Sequence, residues 1–548
     1  MYRLSDFTAS VRGDIYGGIT AAVVALPLAL AFGIASGAGP IAGLYGAVFV
    51  GLFAALFGGT RTQISGPTGP MTVVMTSVLA QLMADYPEQG VQMAFTTVML
   101  AGLIQIAMGL LKLGRYIIMV PYPVISGFMS GIGVIIILLQ VAPLLGFAGE
   151  GNVLEAALAI PAQLLSPNPT ALALGLLTLA IVFLWPGRWA AILPAPLVAL
   201  IVGTLVLVVA VPDSGIGRIG NIPSGFPALI VPHFEWSAVK QMLTAAVMLA
   251  VLGAIDSLLT SLVADNLTRT HHHSNRELIG QGMGNAMAGL FGGLPGAGAT
   301  MRTLVNVRAG GKGPLSGTLH SLVLLAIALG LGWLFEDIPL VVLAGILIKV
   351  GIDIIDWPFL RRMHRLPWFS VALMILVLLL TVFADLITAV MVGVFIKNMV
   401  TIEQMSHYQL DELVLSDGVV DTDRLSPEER DWLHRSGGEI LLLRIAGPVS
   451  YAVGRGLSQR MCRFGPVKTL YIDFSRANLV GISTPMLVED LIATAHKTGT
   501  VVELVGMHGE ALHELSRAHL TRLVGSAHCH PDMTSARAAD ARSGGALP

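Results

Sequence analysis

Two short segments place helix-breaking residues and hydroxyl groups inside otherwise apolar sequence. The first is SGPTGPMTVVMT at 65–76, and the second is LPGAGATMRTLVN at 294–306. Because proline removes a backbone donor and glycine weakens a helix, each segment predicts a helix that begins part-way across a membrane. The first N–H groups of such a helix have no intrahelical partners and carry partial positive charge. Each helix start is therefore a candidate anion site.

Threonine side chains accompany both predicted helix starts. Thr68 and Thr72 belong to the first, and Thr300 and Thr303 belong to the second. Two such starts that met head to head would form a small electropositive pocket, and glycines such as Gly69 would let a ligand approach the backbone. The alternative is a pair of glycine-rich kinks that serve close helix packing. The two segments are the third and the tenth of fourteen predicted apolar segments. A separation of seven favours a site between two inverted repeats.

An acidic residue stands inside another apolar segment, AIDSLLTS. Asp256 is followed one helical turn later by Thr260, on the same predicted face. A carboxylate within a membrane is costly and is a candidate functional group. The pair could coordinate a cation such as sodium, or Asp256 could carry a proton. The alternative is a structural acid bonded to neighbouring serine and threonine side chains.

Three further charged residues flank these segments. Arg302 falls in the first turn of the second broken helix, where it could face the anion, pair with Asp256 or reach cytoplasmic water. A guanidinium beside Asp256 would repel a bound sodium ion. Glu277 and Asp265 lie near the ends of their segments, and we expect both to be solvated.

The elements that carry these residues are predicted to span a bilayer. Of the 548 residues, 54% are hydrophobic and 12% are charged, whereas soluble domains are about a quarter charged. A helical span needs ~20 apolar residues. The sequence predicts fourteen segments, at 15–36, 41–58, 68–84, 92–111, 118–145, 168–185, 192–211, 241–263, 277–293, 299–309, 315–335, 338–354, 368–383 and 385–402.

Charge predicts the orientation of these segments. With a cytoplasmic N-terminus, the even-numbered connections carry most of the basic residues, among them Arg115 and Arg308, and the odd-numbered ones carry mainly acidic residues, among them Glu88 and Asp213. Basic residues collect in cytoplasmic loops. We therefore expect a multi-pass protein of the inner membrane with both termini in the cytoplasm. The net charge of −2 suggests no nucleic-acid partner.

The composition of the sequence changes after residue 405, where polar and charged residues become frequent. A transporter domain at 1–405 is followed by a charged linker at 406–437. Strand-like segments ILLLRIAGPVSYA, VKTLYIDFS and TVVELVGM alternate with the amphipathic helix STPMLVEDLIATAHKTG, which predicts a small α/β domain at 438–530. The tail at 531–548 is predicted to be disordered. The sequence contains no catalytic triad, nucleotide-binding loop or metal cluster, so an enzyme is not expected.

Longer motifs resemble one family of anion transporters. They are RGDIYGGITAAVVALPLALAFGIASGAGPIAGLYGAVFVGLFAALFGGTRTQISGPTGPMTVVM, PYPVISGFMSGIGVIIILLQ, DSLLTSLVADNLTRTHHHSNRELIGQGMGNAMAGLFGG and GAGATMRTLVNVRAGGKGPLSG. The chain resembles the sulfate permease (SulP) family, and its C-terminal module looks like a STAS domain. Within the family it is similar to the sodium-dependent bicarbonate transporters of cyanobacteria. The resemblance covers nearly the whole chain.

The resemblance implies a fold and a set of site residues. It implies an all-α membrane domain of fourteen segments in two inverted repeats of seven, with core and gate domains, in a homodimer. The anion would bind near Thr68 and Ala299, between the two half-helices. A sodium ion would be held by residues matching Asp256, Thr260, Gly298 and Thr300, and no other metal or cofactor is implied.

The chain departs from the family at two places. The bicarbonate transporters have glycine where this chain has Arg302, whereas animal anion exchangers and prestin have arginine there. This departure favours an anion at Arg302 and leaves a proton as the alternative to sodium. In the STAS-like module, Ile482 falls where related proteins carry a phosphorylated serine, and Ser483 and Thr484 follow it. A role in dimerisation or folding therefore fits better than a phosphorylation switch.

The function expected from these features is secondary active transport. The anion would be bicarbonate, a C4-dicarboxylate or sulfate, symported with sodium or protons by alternating access and bound at Thr68, Gly69, Thr72, Ala299, Thr300 and Arg302. One alternative is an uncoupled anion channel or an exchanger, although such a path gains nothing from a buried Asp256. Another is a membrane anion sensor that signals through its STAS module.

Overall fold

The computed structural model describes residues 7, 10–117, 121–149, 153–186, 194–212, 215–220, 226–384, 386–445, 453, 457, 460, 461, 464, 467–477, 483–517 and 519–543. The chain divides into two compact units, residues 1–395 and residues 396–548. The first unit is almost entirely helical, and the second contains a five-stranded sheet.

Within the described residues, each of the fourteen apolar segments predicted from the sequence coincides with a helix, and three further helices are present. The helices are α1 Val11–Ala35, α2 Pro40–Phe57, α3 Gly69–Asp85, α4 Gly90–Leu110, α5 Gly114–Ile117, α6 Tyr122–Leu144, α7 Val153–Leu165, α8 Pro169–Leu184, α9 Ala195–Leu205, α10 Val239–Thr268, α11 Ser274–Leu290, α12 Thr300–Arg308, α13 Pro314–Gly330, α14 Leu340–Ile354, α15 Trp357–Arg362, α16 Trp368–Phe383 and α17 Leu386–Glu412.

Five helices of the described chain, α1, α2, α4, α6 and α10, are individually long and apolar enough to cross a membrane. The bent pair α7 and α8, whose axes meet at 112°, would make a sixth if it forms one span. The sequence did not predict α7. Its surface is mostly exposed, and only Ala156 is buried.

The helices of the first unit pack as two groups. Helices α1 to α4 pack against α10 to α13, with α11 lying against α4 and α2, and α13 lying against α1 and α2. Helices α6, α8 and α9 pack with α14 and α16. We name these the core group and the gate group. Both broken helices, α3 and α12, belong to the core group.

Two short strands precede the broken helices. Strand β1, Ser65–Pro67, leads into α3, and strand β2, Gly296–Gly298, leads toward α12. The strands pair antiparallel, so that Ser65 lies opposite Gly298 and Pro67 lies opposite Gly296. All six residues are buried. This pairing brings together two helix starts that are more than two hundred residues apart in sequence.

The second unit is a mixed sheet with helices on both faces. Its strands are β3 Val414–Ser416, β4 Ile440–Arg444, β5 Thr469–Asp473, β6 Val501–Val505 and β7 Cys529–His530, in that spatial order. Strands β3 and β4 are antiparallel, and the remaining pairs are parallel. Its helices are α18 Pro427–Arg435, α19 Ser483–Lys497, α20 Gly509–Arg517, α21 Leu520–Val524 and α22 Met533–Ser543.

Successive residues along the strands point to opposite faces of this sheet, and both faces are buried. Leu443 and Ile472 pack with Ile492 of α19, whereas Leu442 packs with Leu433 of α18. Side chains of successive strand residues point to opposite faces, which explains the two separate cores. The strands and the helix predicted at 438–530 are therefore present, while Ile482 and the side chain of Ser483 lie outside the described residues.

The prediction of a disordered tail at 531–548 is wrong for most of its length. Residues Met533–Ser543 form α22, and Ala536 is fully buried in the core beneath α18. The Trp432 indole donates a hydrogen bond of 3.0 Å to Asp540. The alanine-rich sequence ARAADAR favours a helix, and one buried face suffices to hold it in place. Residues 544–548 lie outside the described part of the chain.

Candidate functional site

The candidate site lies where α3 and α12 begin. Thr68 is the residue before α3, and Ala299 is the residue before α12; both have extended backbones. The Ala299 N–H donates to the Ile64 carbonyl at 2.8 Å, which continues the β1–β2 pairing up to the helix starts. Two helix N-termini are thereby held on one small sheet, and their unpaired N–H groups carry partial positive charge.

The four predicted threonine hydroxyls have different environments. Thr72 donates to the Thr68 carbonyl at 2.8 Å, and Thr303 accepts the Ile64 N–H at 3.0 Å. Both hydroxyls therefore serve the local structure. The Thr68 hydroxyl is buried and has no hydrogen-bond partner within the described residues. Thr300 is exposed. Thr68 and Thr300 are consequently the two hydroxyls available to a ligand.

Three of the four residues predicted to hold a coupling ion, Thr260, Gly298 and Thr300, lie together. The Thr260 hydroxyl donates to the Gly298 carbonyl at 2.9 Å and lies 2.8 Å from the Thr300 hydroxyl. Ser257, which the sequence reading did not single out, receives the Gly298 N–H at 3.0 Å. A side chain at position 298 would collide with Ser257 and with Gln63, so only glycine fits between α10 and the strands.

Asp256 is buried one turn before Thr260. Its side chain faces Thr68 and interacts electrostatically with Arg302. One carboxylate oxygen, Oδ2, is buried and has no hydrogen-bond partner among the described residues. Buried polar atoms are normally paired, so this carboxylate oxygen is a candidate position for a bound proton or cation.

Arg302 lies beneath β1 rather than in open solvent. It is 2% exposed, and its Nη2 donates to the Pro67 carbonyl. Its Nη1 has no partner within the described residues. A Cβ atom at Gly66 would stand 2.7 Å from Nη1, so the guanidinium can approach the strand only because residue 66 is glycine. The burial of Arg302 does not fit the orientation toward cytoplasmic water that the sequence left open. Its charge acts on Asp256, and no hydrogen bond joins the two side chains within the described residues.

Glu277 is buried, contrary to the expectation of a solvated charge. It is 1% exposed and accepts hydrogen bonds from the N–H groups of Gly59 and Thr60, at 2.8 and 2.9 Å. The side-chain amides of Gln63 and Gln281 donate to its other oxygen, at 2.9 and 2.8 Å. Four donors compensate for the cost of burying this carboxylate.

Glu277 belongs to a polar stripe that the sequence analysis missed. Gln281 donates to the Ser65 hydroxyl at 2.6 Å. Asn285 receives the Gly296 N–H at 2.8 Å and donates to the Gly296 carbonyl at 3.0 Å. The three side chains follow each other at intervals of four along α11, which puts them on one helix face. That spacing was the available signal, and the stripe positions both β1 and β2.

Asp265 is also paired rather than solvated. Its Oδ2 accepts the His272 backbone N–H at 3.0 Å and lies 2.7 Å from His272 Nδ1. The other ring nitrogen of His272 lies 3.0 Å from the Ser274 hydroxyl. These contacts close the turn between α10 and α11. Within the described residues, no group of three or more histidine, cysteine, aspartate or glutamate side chains could hold a metal ion.

His320 is a second polar residue near the site that the sequence analysis missed. It lies on α13, is fully buried, and has no hydrogen-bond partner for either ring nitrogen within the described residues. Arg302 acts electrostatically on it. Its Nδ1 and the Ser65 carbonyl both lie close to the Cα of Gly51, at 3.3 and 3.1 Å from where a Cβ would stand. A single histidine in an apolar segment offers no periodic pattern that could have revealed it.

A crevice of about 580 Å³ separates the two helix groups along the C-terminal half of α3. Thr76 and Gln140 are polar side chains that line it, and they also line a pocket of about 20 Å³ that reaches Gly69 and Thr72. Beyond that pocket the path is closed. A Cβ at Gly69 would lie only 2.8 Å from side-chain atoms of α6 and of α14.

The other side of the site is more open. Thr300 is exposed, and the Met301 side chain is 57% exposed. Helix α12 packs on α1 and α10 within the core group, whereas α3 also packs on α6 of the gate group. The two helix starts therefore differ in access: the start of α3 is covered by the gate group, and the start of α12 is not buried.

Comparison with known proteins places these features in context. A model of the sulfate permease family matches residues 11–377. Two proteins named bicarbonate transporter BicA are each 48% identical: that of Synechocystis sp. over 87% of this chain and 85% of its own length, and that of Picosynechococcus sp. over 94% and 92%. The putative sulfate transporter YvdB of Bacillus subtilis is 33% identical over 64% of this chain and 66% of its own length.

Solved structures agree with this assignment. The transmembrane domain of a cyanobacterial BicA is 55% identical and superposes with a TM-score of 0.66, covering 69% of this chain and 97% of that domain. The structure of SLC26A9 superposes with a TM-score of 0.83 at 20% identity, covering 99% of this chain and 92% of that one. At that identity the similarity to SLC26A9 concerns the fold alone. The chain thus has a predominantly helical membrane-transporter fold.

Proposed function

The chain belongs to the sulfate permease family of anion transporters, and from this premise we propose that it is a secondary active transporter of a small oxyanion. Bicarbonate is the first candidate, because the two relatives that match at 48% identity over most of the chain carry that name. Sulfate is the second, because a relative with 33% identity is named a putative sulfate transporter. C4-dicarboxylates are the third.

The observation that carries this proposal is a set of unpaired polar atoms around two helix starts. The Thr68 hydroxyl and Asp256 Oδ2 are buried, their side chains face each other, and neither atom bonds to any other group in the described part of the chain. They lie beside the first N–H groups of α3 and α12, which β1 and β2 hold together. An oxyanion bound here would receive hydrogen bonds from Thr68, Thr300 and the helix N-termini, with Gly69 and Ala299 leaving space at the backbone.

In this proposal Arg302 acts through its charge. Its guanidinium lies beneath β1, so it would attract the anion across the strand rather than clamp it. It also supplies a positive charge near Asp256, which opposes a second cation. We therefore favour a proton on Asp256 as the coupling ion. Sodium bound by Asp256, Thr260, Gly298 and Thr300 is the second candidate. It is supported by the contacts of Thr260 with Gly298 and Thr300, and by the position of Asp256 one helical turn before Thr260.

Alternating access fits the division into two helix groups. The core group would move the site relative to the gate group. The start of α3 is covered by the gate group and the start of α12 is exposed, so the two ends of the site differ in access. The site would be reached at α12 from the cytoplasm, the side to which the distribution of charge assigns the C-terminal end of that helix. We further propose fourteen membrane segments in two inverted repeats, an inner-membrane location with both termini cytoplasmic, a homodimer, and a C-terminal STAS domain.

Uptake into proteoliposomes tests this proposal. Purified protein would be offered labelled bicarbonate, sulfate, succinate and fumarate, each with a proton gradient, a sodium gradient or neither. We expect one anion to accumulate above its external concentration when the proton gradient is present. Accumulation of none under any gradient would contradict secondary active transport, and uncoupled current with equilibrating uptake would favour a channel.

A further inference from the structure

The buried His320 is not used by the site described so far, although it lies next to it. It is 0% exposed on α13, in the core group, and both ring nitrogens lack partners within the described residues. A buried imidazole normally makes at least one hydrogen bond, because leaving its polar atoms unpaired costs free energy. Its position behind β1, close to the Ser65 carbonyl and to Gly51, is otherwise tightly packed.

The charge that acts on His320 is that of Arg302. Helix α13 packs on α1 and α2, whose ionisable side chains are Arg12, Asp14 and Tyr16 on α1 and Tyr45 on α2. The Asp14 carboxylate is engaged at the start of α13, where it accepts the N–H groups of Lys312 and Gly313. Burial first, and then the charge of Arg302, disfavour a proton on His320 while the anion site is empty, and no carboxylate is bonded to the ring within the described residues.

An anion at the helix starts would change this balance. Its negative charge would offset that of Arg302 and reduce the cost of a second positive charge on His320. Binding of the anion and binding of a proton would then favour each other, and linkage requires the effect to be reciprocal. Both residues are buried beside β1, His320 near the Ser65 carbonyl and Arg302 near Gly66. Each keeps side-chain nitrogen atoms without a partner among the described residues, so the two can form such a coupled pair.

We propose that His320 is a proton-binding site whose occupancy is coupled to anion binding through Arg302. This inference rests on the proposed transport function, because it needs an anion at the helix starts. His320 on α13 would then be a second proton acceptor, in addition to Asp256 on α10. The proton would travel with the anion, and its release would lower the affinity of the site for the anion.

The test measures protons taken up when the anion binds. Purified full-length protein in weak buffer with an indicator dye would be titrated with sulfate and, separately, with bicarbonate, and binding would be followed in parallel by calorimetry. His320→Gln keeps a polar side chain of similar size but cannot be protonated. His364→Gln, on an exposed connecting segment, is the matched control. The natural chain should take up protons when the anion binds, and it should bind the anion more weakly as pH rises, by up to about tenfold per pH unit for one coupled proton.

The variants decide between the outcomes. We expect His320→Gln to bind the anion with an affinity that depends less on pH and with lower proton uptake, while His364→Gln behaves like the natural chain. Unchanged proton uptake in His320→Gln would overturn the inference, and its loss only in Asp256→Asn would assign the proton to Asp256. If His320→Gln does not fold, the natural chain still decides, since pH-independent binding overturns the inference. Absence of anion binding in the natural chain would overturn the proposed function itself.

Discussion

At the scale of single residues, burial decides what each charge can do. Asp256, Glu277 and Arg302 are all buried in the first unit, but their surroundings differ. Glu277 is bonded by four donors and holds the structure together. Asp256 and Arg302 each keep an atom without a partner within the described residues. Unpaired buried groups are what a transient ligand requires, so we assign structure to Glu277 and transport to the other two.

Replacement of Arg302 tests its assigned role. We expect Arg302→Gly to raise the apparent KM for the anion about tenfold, because a positive charge beneath the site is lost. Without this competing charge beside Asp256, sodium should also stimulate uptake. Uptake against anion concentration, with and without sodium, measures both effects.

Arg308→Gly, in the last turn of the same helix, is the control and should leave both properties unchanged. An unaltered KM in Arg302→Gly would show that the guanidinium does not act on the anion.

Replacement of Glu277 tests the structural role of the stripe on α11. Glu277→Ala would leave the N–H groups of Gly59 and Thr60 buried without partners, and we expect a loss of stability of about 3–5 kcal/mol. Thermal unfolding in detergent measures this as a lower Tm. Glu155→Ala, on the exposed surface of α7, should leave the Tm unchanged. Equal Tm values for the two variants would contradict a buried, four-donor carboxylate.

At the scale of elements, the sequence predicted the helix boundaries that depend on residues close together in the chain. The starts of α3 and α12 were predicted within a residue, because glycine and proline interrupt helices wherever they occur. The burial of Glu277 could not be predicted, since three of its four donors, Gly59, Thr60 and Gln63, lie more than two hundred residues away along the chain. The exposed helix α7 was missed because Glu155 and Pro161 interrupt its apolar pattern. The antiparallel pairing of β1 with β2 likewise comes from tertiary packing.

Thiol labelling tests which helix start is open. In a chain whose cysteines at 462 and 529 have been replaced by serine, we expect Met301→Cys to react with a membrane-impermeant reagent from the cytoplasmic side, because Met301 is exposed beside the site. Ser257→Cys, which is fully buried, should not react. Labelling of Met301→Cys only from the external side would contradict access to α12 from the cytoplasm, and the absence of labelling from either side would place Met301 against lipid.

At the scale of the whole molecule, the chain combines a membrane unit with a separate α/β unit. Composition and hydropathy predicted this division, and family membership is confirmed by the comparisons. The C-terminal unit has its own ionic centre. Arg444 donates to Asp473 at 2.6 Å and to Glu429, all three being largely buried. Such a centre makes the stability of the unit depend on pH.

The direction of this dependence follows from Glu429. Burial alone would raise its pKa, but hydrogen bonds from Arg444 and Ser426 outweigh burial and hold the pKa below its ordinary value. A lowered pKa stabilises the folded state above the ordinary pKa of glutamate, and this stability is lost as pH falls through the lowered value. We therefore expect the urea midpoint of this unit to fall steeply below about pH 4.5.

Fluorescence of Trp432, which packs edge-on against Tyr471, measures that midpoint, with Trp432→Phe as the spectral reference. In Glu429→Gln the midpoint should be lower at neutral pH and should change less in acid. The same acid dependence in Glu429→Gln and in the natural chain would rule out this origin.

The central claim is that Asp256 couples anion movement to an ion gradient. The most direct measurement is the ratio of internal to external labelled anion at steady state, in proteoliposomes of the natural chain and of Asp256→Asn under the same proton gradient. We predict a ratio well above one for the natural chain. For the folded variant we predict a ratio of about one, reached by anion exchange without accumulation. Full accumulation by Asp256→Asn would contradict the account.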